Sequence, residues 1–288
     1  MDQLLVVVLN GLTLAALYFI VASGLTLIFG LMRIVNLAHG GLYLLGGYIT
    51  WRLVEGLENY WLAVALTAVT IGVVGTAMYL VVIRPIEGHE LRIVLATLGV
   101  AVVAGDQMLA YFGGMPTRIR LPGDLRVAVE IPVAGVSYPG FRLLVIGAAV
   151  LVGMGLWFFL TRTRLGLTVR AGIEDKEMVE TTGVNVRRHF AGVFFIGSVL
   201  AGLSGALGGG VFALSPGVDM DFLLYSLVVI IVGGMGSVAG AALGALLVGL
   251  TSSLALFYVP SLAAILVFML MVVMIIIRPQ GILRGAEV

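Results

Sequence analysis

Apolar stretches of roughly 20 residues follow one another along most of the chain, separated by short breaks that are charged or rich in glycine and proline. An α-helix needs about 20 apolar residues to cross a bilayer, so this pattern predicts membrane-spanning helices. The alternating segments of a transmembrane β-barrel, each roughly ten residues long, are absent. The predicted passes lie near 4–29, 37–53, 61–83, 92–112, 142–160, 190–213, 222–235, 237–258 and 260–277.

Two of these passes are doubtful as full crossings, because 222–235 is short and 37–53 is only marginal. Either could be a broken or re-entrant helix. The sequence therefore predicts an all-α integral membrane protein, a polytopic helical bundle of about eight or nine apolar passes.

Two segments are not predicted to lie in the membrane, and the remainder of 1–288 forms a single transmembrane domain. Residues 113–141 contain prolines and short β-prone runs, which predict an external loop with a small hairpin. Residues 161–189 are strongly charged and are predicted to form a cytoplasmic loop. Neither segment has the size of an ordinary soluble domain.

Glycine is frequent, at 40 of 288 residues, and much of it falls every four positions on predicted helices. Such rows allow helix backbones to approach closely in a membrane. The cluster "VGGMGSVAG" at 232–240 differs, because its glycines interrupt two apolar halves and predict a helix break near 222–240. A break at membrane depth is tolerated only against protein or a water-filled path. Its pathway candidates are Gly233, Gly234, Gly236 and Ser237.

Composition supports the membrane assignment and offers little for catalysis. The chain is 61% hydrophobic and 11% charged, with a mean hydropathy of +1.17, whereas soluble domains carry about 25% charged residues. It has no cysteine, a single lysine, no phosphate-binding GxxxxGK[ST] motif and no GxSxG nucleophile motif. We therefore expect neither an enzyme, nor a metal site, nor a cofactor, nor a nucleic-acid partner.

The basic residues predict the orientation of the chain in the membrane. Cytoplasmic loops are enriched in lysine and arginine, and an alternating topology places eleven of the sixteen basic residues on one side. The N-terminus is then outside and the C-terminus cytoplasmic. The residues assigned to the cytoplasmic side are Arg33, Arg84, Arg92, Arg162, Arg164, Arg170, Lys176, Arg187, Arg188, Arg278 and Arg284.

Polar residues near the start of the second pass are candidates for the translocation pathway or its gate. Asn36 is expected to be the N-cap of that helix. His39 and Tyr43 share one face with Gly46, Gly47 and Thr50, which gives a polar, glycine-lined stripe. One alternative is capping plus an interhelical hydrogen bond from His39. The other is lining of the pathway by Asn36, His39 and Tyr43, since intramembrane polar residues rarely face lipid.

Charged residues inside the predicted passes are nearly absent, and Asp106 is the main exception, with Gln107 beside it. Asp106 lies six residues before the end of its pass, or about 9 Å from the outer edge at the helical rise. It could pair with an external arginine, or Asp106 and Gln107 could line the pathway.

The cytoplasmic loop and three other blocks carry a family resemblance. "RTRLGLTVRAGIEDKEMVETTGVNV" (162–186) resembles the coupling segment of ABC-transporter permeases of the branched-chain amino-acid (Liv) class. "NGLTLAALYFIVASGLTLIFGLMRIVNLAHGGLYLLGGYI" (10–49), "VVIIVGGMGSVAGAALGALL" (228–247) and "RPQGILRG" (278–285) are also similar to that class. The chain departs from it at Glu177-Met178-Val179, where the family commonly has Glu-Ala-Ala.

The resemblance implies a permease subunit of a binding-protein-dependent importer in the bacterial inner membrane. Its partners would be a second permease, homologous or identical, two cytoplasmic ABC ATPases, an external solute-binding protein and membrane lipid. A short amphipathic helix around 174–182 would dock on an ATPase. The coupling residues carried over from the family are Arg170, Glu174, Asp175, Glu177, Glu180 and Gly183.

Several functions stay open at this point. The family implies import of branched-chain or other small hydrophobic amino acids, and also includes importers of urea, short amides and small aromatic acids. From the residues alone, a self-sufficient channel or a secondary transporter is the alternative of a different class, and 161–189 could be a loop held by anionic lipid.

Overall fold

The computed structural model describes residues 2–131, 136–174, 178 and 186–283. Its helices are α1 (Asp2–Met32), α2 (His39–Leu57), α3 (Tyr60–Met78), α4 (Glu90–Phe112), α5 (Gly140–Arg162), α6 (Arg164–Glu174), α7 (Val186–Val211), α8 (Val218–Gly233), α9 (Val238–Tyr258) and α10 (Ala263–Ile277). A π-helical turn (Tyr79–Ile83) and a 3-10 turn (Arg84–Ile86) extend α3. The strands β1 (Ala128–Ile131) and β2 (Val136–Pro139) pair antiparallel, which confirms the hairpin predicted within 113–141.

Seven helical stretches of the described chain are long and apolar enough to cross a membrane. The polytopic all-α prediction is thereby confirmed. Three helices lie outside this set: the amphipathic α6, and α2 and the 16-residue α8, which correspond to the two doubtful passes. The seven stretches are Gln3–Gly30, Tyr60–Ile86, Glu90–Phe112, Gly140–Arg162, His189–Val211, Val238–Tyr258 and Pro260–Ile277.

Helices α1 and α7 form the centre of the bundle, and glycines on facing helices allow close packing there. A Cβ on Gly24 of α1 would lie 2.5 Å from the Gly197 carbonyl oxygen of α7, and one on Gly46 of α2 would lie 2.7 Å from the Gly202 Cα of α7. These approaches explain the periodic small residues as helix-packing rows. Helix α1 also packs on α9, where the Ser253 hydroxyl donates to the Val7 carbonyl (2.6 Å).

The chain re-enters the protein between α1 and α2. His39, the first residue of α2, hydrogen-bonds the carbonyl of Val21, eleven residues before the end of α1. Helix α2 therefore starts about 16 Å inside the end of α1, at the helical rise. The non-helical connection is tolerated because it is buried in protein: Asn36 is fully buried, and Leu37 N–H donates to Thr97 Oγ1 (3.2 Å).

The predicted break near 222–240 is present as a tight turn between α8 and α9. Gly234 and Gly236 have φ of +112° and +87°, values that side chains with a Cβ rarely adopt. Ser237 caps α9 by accepting a hydrogen bond from Gly240 N–H (3.0 Å). The pair α8–α9 is therefore a hairpin whose turn requires glycine.

The C-terminal segment after α10 closes the open end of α8. Ile282 N–H and Leu283 N–H each donate, at 3.0 Å, to the carbonyls of Val232 and Gly233. These carbonyls lie in the last turn of α8, where the helix has no further backbone N–H groups to bond them. Two of the blocks that resemble the Liv class, 228–247 and 278–285, are thus brought together in space.

Candidate functional site

Asn36 is not the N-cap of α2, so that expectation is wrong. Helix α2 begins at His39 with Ala38 at the N-cap position, and Ala38 makes no side-chain capping bond. Asn36 Oδ1 instead accepts from Ala38 N–H (3.1 Å), and its carbonyl accepts from His39 N–H (3.2 Å). The asparagine forms a side-chain turn because the re-entrant segment must change direction before the helix starts.

His39 and Tyr43 are fully buried between helices. His39 Nε2 donates to the Val21 carbonyl (3.1 Å), the interhelical bond that the packing alternative required. The Tyr43 ring stacks on Phe222 of α8, with ring centres 3.9 Å apart. His39 Nδ1 and the Tyr43 hydroxyl have no hydrogen-bond partner among the described residues. These polar atoms therefore face the protein interior rather than lipid.

A cleft of about 310 Å³ opens where α2, α4 and the start of α8 meet. We call it the carboxylate cleft, because Asp106 of α4 and Asp219 of α8 both line it. Tyr48 of α2 closes one side, with its ring stacked on Phe112 at 4.5 Å. The other lining residues are Leu44, Ala101, Val102, Gly105, Met108, Leu109, Pro216, Gly217 and Met220.

The two aspartates have no cationic partner in the described part of the chain, where the salt bridge is Arg52–Glu55. Asp219 Oδ1 accepts from Gly217 N–H (3.1 Å). Its Oδ2 lies 4.0 Å from where a Cβ on Gly105 would stand, so the carboxylate reaches α4 beside Asp106. The cleft is therefore a negative site with largely apolar walls.

Asp106 lies six residues before the end of α4, as the sequence indicated, and it is exposed there. The ion pair with an external arginine is not formed among the described residues. Gln107 is exposed beside it but does not line the carboxylate cleft. An ionised aspartate at this depth is costly against lipid, so this surface faces water or protein.

The glycine turn lies at the opposite end of α8 from the carboxylate cleft. Gly233, Gly234, Gly236 and Ser237 are buried there, and the C-terminal segment covers the turn. A helix of 16 residues separates the two places by about 24 Å. The sequence candidates thus form two groups, and the pathway role of the turn stays a prediction.

The described part of the coupling region is α6, an amphipathic helix packed against α1, α5 and α7. Val169 is fully buried in that contact, and Gly166 N–H donates to Thr163 Oγ1 (3.0 Å) at the sharp bend after α5. Arg170 is half-buried on α6, and Glu174 is its last residue. Asp175, Glu177, Glu180, Gly183 and nearly all of the predicted helix 174–182 lie outside the described residues.

Sequence reasoning missed Asp219 and Tyr48. Asp219 follows the positive-φ residue Gly217 at the start of a short apolar helix, and this was the signal available. It also missed a polar cluster at the start of α1 and α5. There Asn10 Oδ1 accepts from Arg142 Nη1 and from the Tyr138 hydroxyl (3.1 Å), beside a second cleft of about 310 Å³.

Seven helical stretches long and apolar enough to cross a membrane, packed around a re-entrant segment in the described part of the chain, define a polytopic integral membrane protein. Within the described residues, no group of three or more histidines, cysteines or acidic residues is placed to hold a metal ion.

The chain belongs to the family described as branched-chain amino acid transport system / permease component, whose model matches residues 7–277. The family is that of ABC importer permeases. The chain is 29% identical to the high-affinity branched-chain amino acid transport system permease protein BraD of Pseudomonas aeruginosa, over 97% of this chain and 95% of that protein. It is 26% identical to LivH of Escherichia coli K12, with the same coverage.

Among solved structures, the chain is similar to PsaBC from Streptococcus pneumoniae in complex with Fab, with a TM-score of 0.51. The match covers 94% of this chain and 91% of that one at 13% identity, so it supports the fold alone.

Proposed function

We propose that this permease imports branched-chain or other small hydrophobic amino acids and forms half of their translocation pathway. The observation that carries the proposal is the end-to-end similarity to BraD and LivH, whose names give that substrate class. The carboxylate cleft favours it over import of urea, short amides or aromatic acids, because none of these carries an ammonium group to offset the two aspartates.

The second half of the pathway is supplied by another permease subunit, homologous or identical, on the face of α4 and α8. Asp106 is exposed and Asp219 is partly exposed on this face, and α4 buries little of its surface within the chain. A partner subunit covers these charges more favourably than lipid does. Around this pair we place two cytoplasmic ABC ATPases and an external solute-binding protein.

The proposed orientation puts the N-terminus outside and the C-terminus in the cytoplasm. The ends of α1, α5 and α10 and the connection from α3 to α4 carry Arg33, Arg162, Arg278 and Arg84. The positive-inside rule supports a cytoplasmic location for that side. The carboxylate cleft then opens toward the outer half of the membrane, where the binding protein delivers substrate.

Coupling is proposed to run from the ATPases through the segment Arg170–Gly183 into α6. Because α6 packs against α1, α5 and α7, a push on α6 moves these helices relative to α2 and α8. Rocking of packed helices of this kind is a common route between two accessible states. His39 and Tyr43 lie between the moving helices, which makes them gate candidates.

Copurification tests the assembly. A tagged version of this chain, expressed with its full set of partners and extracted in mild detergent, is expected to retain two ATPase chains for each pair of permeases. A variant lacking 174–182 is expected to reach the membrane and lose the ATPases. Retention of the ATPases by that variant would refute the docking assignment.

A further inference from the structure

We propose that Asp219, Asp106 and Tyr48 form a subsite for the primary ammonium group of the transported amino acid. The inference rests on the proposed function and extends it, because it assigns a recognition role to the permease itself rather than to the external binding protein alone.

The charge of the cleft favours a cationic ligand. The two carboxylates lie on different helices, line one cleft, and have no cationic partner in the described part of the chain. Two carboxylates that line one cleft with largely apolar walls favour the binding of a cation there. Asp219 is held by the Gly217 N–H through one oxygen, which leaves Oδ2 directed toward α4.

Tyr48 supplies an unused polar group. The Tyr48 side chain is fully buried, lines the carboxylate cleft and lies within electrostatic range of Asp219. Its hydroxyl has no hydrogen-bond partner among the described residues. Buried hydroxyls are normally paired, so an unpaired one on a residue that lines the cleft indicates a ligand position.

The polar and apolar groups of the cleft match an aliphatic amino acid. A primary ammonium has three N–H donors, and the cleft offers two carboxylates and a phenol oxygen as acceptors. Leu44, Val102 and Leu109 provide an apolar wall for an aliphatic side chain. A volume of about 310 Å³ lies at the low end of ligand pockets, as expected for a small amino acid.

The test uses the purified permease–ATPase complex without its binding protein, so that the binding protein cannot impose its own selectivity. Thermal unfolding midpoints are measured with L-leucine, with 3-methylbutylamine, which lacks the carboxylate, and with 4-methylpentanoate, which lacks the amine. Each titration is run in sodium buffer and in sodium-free buffer. The variants are Asp219→Asn and Asp106→Asn, and the control is Asp221→Asn, an exposed aspartate two positions away that does not line the cleft.

We expect leucine and 3-methylbutylamine to raise the midpoint of the wild type and of Asp221→Asn, and 4-methylpentanoate to have no effect. Loss of a charge-assisted bond should raise the half-saturating amine concentration of Asp219→Asn about tenfold or more, with a similar direction for Asp106→Asn. No amine effect on the wild type, an unchanged titration in Asp219→Asn, or stabilisation by sodium instead of the amine would overturn the subsite.

Leucine uptake by the wild-type complex reports the proposed function separately. If the amine effect depends on Asp219 but the complex does not take up leucine, the subsite is supported and leucine is rejected as the substrate. If leucine is taken up but the amine titration does not depend on Asp219, the proposed importer function stands and the subsite is rejected.

Discussion

Alanine at Gly46 is expected to prevent stable assembly of the helical bundle. The added Cβ would lie 2.7 Å from the Gly202 Cα and 2.8 Å from its carbonyl oxygen, and neither backbone atom can move aside as a side chain can. Overpacking of a close-packed interior costs about 1–3 kcal/mol or more. The unfolding midpoint in detergent and the yield of monodisperse protein measure the effect.

Gly56→Ala is the matched control on the same helix. Its Cβ would meet no atom within 4 Å, and Gly56 is exposed. Alanine is the better helix former by about 1 kcal/mol, so this variant should be as stable as the wild type or more so. Equal midpoints for the two variants would contradict the packing of α2 on α7.

The second large effect is expected at Glu180, in the proposed coupling segment. Glu180→Lys should insert and assemble normally, while uptake falls at least about tenfold, because charge reversal at a docking site costs several kcal/mol. ATP hydrolysis should lose its stimulation by the loaded binding protein. Uptake and hydrolysis are measured together in proteoliposomes.

Glu90→Lys serves as the charge-reversal control, since Glu90 is exposed at the start of α4, outside the coupling segment. It should retain near-normal uptake, with only a small penalty from the helix dipole. An equal loss of uptake in the two variants would mean that any added positive charge lowers uptake, and that docking at 174–182 is not the cause.

Hydropathy located the crossing helices well, because the need for a long apolar run is a local property of sequence. The pass predicted at 260–277 is found at Pro260–Ile277, and the one at 92–112 lies within Glu90–Phe112. The break at Gly234 could also be predicted from the sequence, since three glycines clustered between apolar halves favour a turn with positive φ over a continuous helix.

Features that depend on distant contacts were not predictable. The backbone conformation at Asn36 depends on burial of the re-entrant segment against α1 and α4. A local capping rule therefore placed the start of α2 too early. The carboxylate cleft joins Asp219 to Asp106 only because α8 and α4 both pack on α2. Ile282 and Leu283 cover the turn after α8 and so join two blocks of the family pattern that are distant in sequence. Neither block alone indicates this contact.

The proposed importer transports only as part of an ATP-driven complex. The most direct measurement is accumulation of labelled leucine in proteoliposomes that contain the permease pair and its ATPases, with ATP supplied on the ATPase side and the loaded binding protein on the other. We predict accumulation against the gradient that stops when ATP, either ATPase site or the binding protein is removed. Leucine flux through this chain alone, without ATP and without partners, would contradict the account and indicate a channel or secondary transporter.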